Sequence, residues 1–207
     1  MAKFQICLDL KKFQEYLSSS PIFGFKNLKV LTLGSVDVDN QVVNIFLSSC
    51  PLLEQLSIRK SQVLKHLEIG PSLKLKHLEI YECDIHYLEI CNVNLVSFYF
   101  YGSEKTNLRI ENVSSIVNLE IEIYYGSLPR LIDLITTKFT QLVKLPLEVK
   151  TSQYEDVDYY FSFPKFNNLK WLILTIDEAI DSSLLNVTPL LQASPYLGMF
   201  EFNVYRG

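Results

Sequence analysis

The chain has 207 residues, enough for one domain with a substantial core, and is 48% hydrophobic and 20% charged, a balance that excludes disorder. Its net charge of -4, with no run of like charges, offers no electrostatic footprint for nucleic acid or an anionic membrane, so neither is expected as a partner. No apolar stretch is long enough for a membrane-spanning helix.

In chain order, the opening MAKFQICLDLKKF places Gln5 and Asp9 inside its apolar run and has no small-residue cleavage site. It does not read as a signal peptide. It reads as a first strand that begins near Phe4 and centres on ICLDL (6–10), followed by an entry segment to residue 24. From there one pattern recurs, apolar-x-x-apolar-x-apolar: LKVLTL (28–33), LEQLSI (53–58), LKHLEI (64–69), LKHLEI again (75–80), IHYLEI (85–90), LVSFYF (95–100) and IVNLEI (116–121). LVKLPL (142–147), LKWLIL (169–174) and LGMFEF (197–202) continue it, and KTNLRI (105–110) keeps only the last two apolar positions. Each alternates apolar and polar residues at its end, as a strand with one buried face does.

Longer elements stand between some of these strands. DNQVVNIFLSSC (39–50) offers Asp39 as an N-cap and Val42, Val43, Phe46 and Leu47 at helical spacing. SLPRLIDLITTKF (127–139) carries Pro129 in the first turn and a stripe of Leu131, Leu134 and Ile135, again a helix. TSQYEDVDYYFSFPKF (151–166) has no helical period and is expected to be a loop, with or without an irregular strand. DSSLLNVTPLLQAS (181–194) is a third helix candidate, which Pro189 should break or kink.

The spacing determines how the strands are shared out. The second apolar position falls at Leu8, Leu31, Leu56, Leu67, Leu78, Leu88, Phe98, Leu108, Leu119, Leu145, Leu172 and Phe200. From Leu56 to Leu119 the steps are less than half as long as those outside that block. The two LKHLEI copies have only GPSLK between them, too short a link for a crossover into the same parallel sheet. Alternate short-step strands therefore belong to opposite faces of a flattened coil. Leu56, Leu78, Phe98 and Leu119 form one series and Leu67, Leu88 and Leu108 the other. Every coil then comes to about 20–28 residues, which is the leucine-rich-repeat period. The expected fold is an α/β leucine-rich-repeat solenoid: curved, right-handed coils, a parallel concave sheet of about nine strands, and short strands or helices on the convex side. One domain should span 1–207, with 25–123 its most regular part and 124–207 longer and more irregular. Its ends should expose apolar edges, Ile6, Leu8 and Leu10 at one and Phe200, Phe202 and Val204 at the other. The isolated chain should then self-associate unless residues 11–24 cover the first coil.

The stretches FKNLKVLTLGSVDVDNQVVNIFLSSCPLLEQLSI (25–58), GPSLKLKHLEIYECDIHYLEI (70–90) and NLVSFYFYG (94–102) resemble the repeat region of plant F-box/leucine-rich-repeat proteins, the type associated with an FBD domain. The runs from Leu47 to Leu56 and from Pro71 to Cys83 carry the resemblance most specifically. It implies a surface that selects a target protein for a Skp–cullin ubiquitin ligase. The Leu-Pro pair that opens an F-box occurs only at Leu128-Pro129 and Leu145-Pro146, within the repeats. Skp–cullin is thus a partner only if an F-box is supplied elsewhere, and the alternative is an autonomous interaction module or a truncated F-box relative without the ligase-adaptor role.

Residue chemistry points the same way. Cys7, Cys50, Cys83 and Cys91 form no CxxC pair; with no secretory signal, buried free thiols in an intracellular protein are expected, and the sequons at Asn112 and Asn186 are incidental. His66 and His77 share a motif position but fall on opposite faces, and with His86 they form no metal-ligand set. Glu120 and Glu122 stand about 7 Å apart on one strand, yet no cleft is expected around them. Neither catalysis nor a metal or cofactor is expected. The functional candidates are the outward residues of the first series: Gln55, Ser57 and Arg59; His77, Glu79 and Tyr81; Ser97, Tyr99 and Tyr101; Asn118, Glu120 and Glu122; Lys144 and Glu148; Trp171, Ile173 and Thr175; Met199, Glu201 and Asn203. Among these, Arg59, His77, Glu79, Tyr81, Tyr99, Tyr101, Glu120, Glu122, Trp171, Ile173 and Met199 suit an interface best, because aromatic residues and Arg bury large area at low entropic cost. The large apolar residues Trp171, Ile173 and Met199 need a cover.

Overall fold

In the computed structural model the described residues are 3–5, 25–71, 74–103, 105–113, 115–124, 139, 141–150, 165–177 and 183–205. They fall in two compact units, Met1–Val113 and Ser114–Gly207. The first contains β1 (Lys3–Gln5), β2 (Val30–Gly34), α1 (Asn40–Ser49), β3 (Gln55–Arg59), β4 (His66–Ile69), β5 (His77–Tyr81), β6 (Tyr87–Cys91), β7 (Ser97–Ser103) and β8 (Asn107–Glu111). The second contains β9 (Asn118–Tyr124), β10 (Lys144–Lys150), β11 (Trp171–Asp177), α2 (Ser183–Gln192) and β12 (Met199–Tyr205).

Two parallel sheets share the first unit. One runs β1-β2-β3-β5-β7 and the other β4-β6-β8. The identical hexapeptides are therefore separated: Leu78 of β5 lies beside Leu56 and Phe98, while Leu67 of β4 lies beside Leu88. The second unit carries β9-β10-β11-β12, also parallel. This is the α/β leucine-rich-repeat architecture that the period predicts.

Strands begin two residues after each motif starts, because the first apolar residue is spent on the corner. Leu28, Leu53, Leu64, Leu75, Ile85, Leu95, Ile116, Leu142 and Leu169 are all buried there. In several corners one carbonyl accepts two successive N–H groups from the next coil of its series. Lys29 O takes those of Glu54 and Gln55 (2.8 and 2.9 Å), and Glu54 O takes those of Lys76 and His77 (2.8 and 3.0 Å). Lys76 O does the same for Val96 and Ser97, and in the second unit Val143 O for Lys170 and Trp171. These corner groups are satisfied by backbone atoms, whereas at the entry to β4 the His66 N–H donates to Asn40 Oδ1 at 3.1 Å and at Ile85 the carbonyl accepts from Thr106 Oγ1 at 2.8 Å. At the far end of β2, β3, β5, β6 and β8 the chain leaves through a left-handed residue, respectively Ser35, Lys60, Glu82, Asn92 and Asn112, with φ from 50 to 59°.

Between the corners the inward residues Leu31, Leu56, Leu67, Leu78, Leu88, Phe98, Leu119, Leu145 and Leu172 are buried. The long step from β2 to β3 is filled by α1, whose Asp39 Oδ1 accepts the N–H of Val42 at 2.9 Å. Its buried stripe is Val42, Val43, Phe46 and Leu47, as helical spacing demands.

Several expectations need correction. Phe4, not Leu8, stands beside Leu31; an alternating run can slip by an even number of residues and keep its faces, and residues 6–10 lie outside the described ones. Leu108, an inward position of β8, is half-buried. The apolar edge expected at the last strand is found, by contrast: Phe200 and Val204 are 41% and 46% exposed, although Phe200 lies beside Leu172. Helix α2 continues three residues past Pro189, and the Ala193 N–H still closes its last turn onto the Pro189 carbonyl at 2.9 Å. The helix expected at 127–139 and the loop at 151–166 lie outside the described residues apart from Phe139, Lys165 and Phe166, of which both phenylalanines are buried.

Candidate recognition surface

Three cross-strand rows form the outward face of β3, β5 and β7. Register places Gln55, His77 and Ser97 in the first, Ser57, Glu79 and Tyr99 in the second, and Arg59, Tyr81 and Tyr101 in the third. The first row is polar, with His77 Nδ1 hydrogen-bonded to Ser97 Oγ at 2.7 Å. The last row is aromatic. Tyr81 stacks on Tyr101 with ring centroids 4.9 Å apart and planes 22° apart, and on Tyr99 at 6.1 Å and 15°. Such offset stacking stabilises rings beyond the area they bury, so the three side chains form a preorganised platform.

Arg59 and Glu79 border it. The guanidinium Nη2 lies 2.7 Å from Glu79 Oε1, and Ser57 Oγ donates to Glu79 Oε2 at 2.7 Å. The Glu79 carboxylate raises the pKa of Arg59 further, the phenol oxygens of Tyr99 and Tyr81 adding to it. Ser57, expected among the outward contacts, is buried beneath this pair. Its small side chain lets its neighbours close over it, and its hydroxyl is satisfied by doing so.

On the second unit the corresponding row is Lys144, Trp171 and Met199. Lys144 Nζ sits 4.0 Å from the centre of the Trp171 ring, a cation–π contact that supplies part of the cover the indole needs. Trp171 Nε1 is buried with no hydrogen-bond partner among the described residues. Ile173 is half-buried beside Pro146 and Glu201, whereas Met199 is 50% exposed. Glu120 is exposed and Glu122 half-buried on β9, and both have polar or electrostatic contacts of their own. The side chain of Glu148 lies outside the described residues. The candidates thus divide between two surfaces: Arg59, His77, Glu79, Tyr81, Tyr99 and Tyr101 on the first unit, and Glu120, Glu122, Trp171, Ile173 and Met199 on the second.

Sequence reasoning passed over the outward face of the three-stranded sheet. There Glu68, Glu89 and Arg109 share one row. His66 meets the Tyr87 ring at 4.6 Å and Glu68 Oε1 at 2.8 Å, Tyr87 donates to Glu89, and Arg109 pairs with Glu89 and Glu111. The Tyr87 hydroxyl, then the Cys91 thiol, lower the pKa of Glu89. Each row member directly follows one of Leu67, Leu88 and Leu108 in the sequence, which already put them side by side; only their complementarity went unread. His66 and His77 do fall in different sheets. Of the cysteines, Cys50 and Cys83 are buried free thiols, and Cys91, expected buried, is a half-buried one beside Glu89, turned outward by its place in β6.

A family model described as the leucine-rich-repeat domain of At1g61320/AtMIF1 matches residues 7–207. No curated protein and no solved structure matches the chain. No described helix is long and apolar enough to cross a membrane.

Proposed function

The chain belongs to the At1g61320/AtMIF1 leucine-rich-repeat domain family, and from that membership we propose that it recognises a target protein through the outward face of β3, β5 and β7. Repeat sheets present extended binding surfaces of this kind. The observation that carries the reading is the stacked platform of Tyr81, Tyr99 and Tyr101 beside the Arg59–Glu79 pair. These are the residue types that anchor protein interfaces, held in place before a partner arrives. In this reading the chain is a non-enzymatic, intracellular module that takes no cofactor and binds neither nucleic acid nor membrane. Within an F-box protein of the plant FBD-associated type, it selects the substrate of a Skp–cullin ubiquitin ligase.

A second reading is an autonomous interaction module that binds the target without delivering it for degradation. It differs from the first reading in requiring no F-box supplied elsewhere. Affinity capture from native extract, with and without a proteasome inhibitor, tests both. A protein held by the wild type and lost from a Tyr81→Ala/Tyr99→Ala variant supports recognition by this face. Enrichment of that protein under the inhibitor, together with Skp in the eluate, supports the ligase reading. Retention of every captured protein by the variant overturns the choice of face.

A further inference from the structure

The parallel registers of β9, β10, β11 and β12 set their outward residues in rows across the second unit. The first row is Asn118, Lys144, Trp171 and Met199. In the second, Ile173 lies between Pro146 and Glu201, and the same register puts Glu120 on the other side of Pro146. The two ends of this row, Glu120 and Glu201, are exposed, and its apolar middle is half-buried. Beside that middle stand the Trp171 ring and Met199, and Glu122 adds a further carboxylate on β9. The face is therefore an apolar strip with acids on both flanks. It already receives one cation from this chain: Lys144 Nζ, 4.0 Å from the centre of the Trp171 ring. We propose that this face docks an extended segment of a partner polypeptide in which two basic residues, four apart, enclose a large apolar one.

The spacing of the strands determines that pattern. Glu120 and Glu201 stand three strand intervals apart in the order β9-β10-β11-β12, roughly 14 Å at about 4.8 Å for each interval. An extended chain covers about 13 Å in four residues and turns residues i, i+2 and i+4 to one side. A segment laid across the strands thus brings Lys or Arg over Glu120 and over Glu201, while the residue between them rests on Pro146 and Ile173. An acidic segment would set like charges together at both ends. A wholly apolar one would take water from both carboxylates and offer nothing in its place. The surface is separate from the tyrosine platform of the first unit, so its use does not depend on that platform's role.

Trp171 is the only tryptophan of the chain, so its fluorescence reports on this face. The test titrates the 207-residue chain at low salt with the capped peptide Ser-Lys-Ser-Leu-Ser-Lys-Ser, calorimetry giving the affinity. The expected result is saturable binding that shifts the Trp171 emission and weakens as salt is added. Glu120→Gln and Glu201→Gln should each raise the dissociation constant about two- to fivefold, the range of an exposed ion pair. Glu68→Gln, on the three-stranded sheet, should leave it unchanged, and circular dichroism should show all variants equally folded. Ser-Ser-Lys-Leu-Lys-Ser-Ser, of the same composition but with its bases two apart, should bind more weakly, and Ser-Glu-Ser-Leu-Ser-Glu-Ser not at all. The proposal fails if the basic peptide does not bind, if it binds without moving the Trp171 emission, or if the acidic peptide binds as well. It fails equally if neither Gln variant weakens binding, or if the emission changes on dilution of the chain alone, because a second copy then covers the face.

Discussion

The ring of Phe100 lies against the backbone of Gly102, so close that a Cβ on the glycine would stand 2.5 Å from the Phe100 Cζ. Both residues are buried on the inward face of β7. The strand thus packs one large side chain over two inward positions, the second left empty for it. Gly102→Ala should therefore destabilise the protein by about 1–3 kcal/mol, the usual range for overpacking. Urea unfolding of a double-mutant cycle with Phe100→Leu should show the two changes to be non-additive, the smaller side chain relieving the alanine.

The twin hexapeptides make an internal comparison. Leu67 and Leu78 are both almost fully buried, one in each sheet of the first unit. Either leucine replaced by Ala should lose about 2–5 kcal/mol of stability. Comparable shifts in the denaturation midpoint would show that the two faces of the coil enclose one cooperative core. A loss confined to one variant would mean the faces unfold separately.

Titration should find the charge ladder at the strand entries. Glu54 Oε1 lies 2.8 Å from Lys29 Nζ, and Oε2 lies 3.8 Å from Lys76 Nζ. The hydrogen bond from Lys29, then the two ammonium charges, hold its pKa below the usual carboxylate value. A pKa lowered by folding gives stability that is present above the unfolded value of about 4.3 and is lost as pH falls through the folded one. Observed by NMR, Glu54 should titrate below an unperturbed glutamate, and Lys29→Gln should bring it upward. Added salt should act in the same direction.

Among Cys50, Cys83 and Cys91, alkylation followed by peptide mapping should modify Cys91 first, because it alone is not buried. Burial, then the Glu89 carboxylate, raise its pKa, so fewer thiolates form at a given pH than in a free cysteine. Glu89→Gln should move the pH–rate profile of Cys91 to lower pH. The profiles of Cys50 and Cys83, raised chiefly by burial, should stay where they are.

The fold was legible because counting is enough for a repeat: the short steps between Leu56 and Leu119 assign each strand to a sheet, and the pairing of β3 with β5 and of β4 with β6 agrees. The helix at 40–49 was legible too, since Asp39 and the spacing of Val42, Val43, Phe46 and Leu47 act locally. What escaped depended on neighbours. Ser57 looks like any outward residue until Arg59 and Glu79 close over it from the same strand and the next. The outward tyrosines could be placed side by side by register alone. That Tyr81 stacks more closely on Tyr101 than on Tyr99 depends on rotamers, which no periodicity encodes.

The alternation of short steps between two sheets gives the first unit a parity, and parity limits how its gene can change. Excising one short step from the block, such as that from Leu56 to Leu67, would deliver every later short-step strand to the opposite sheet. The tyrosine platform would then be assembled on the far side of the coil, and the Glu89–Arg109 ladder would take its place. Excising or duplicating two steps together, a whole coil such as that from Leu56 to Leu78, leaves every downstream strand on its own face. Recombination can therefore lengthen or shorten this block only in whole coils if the surface is to survive.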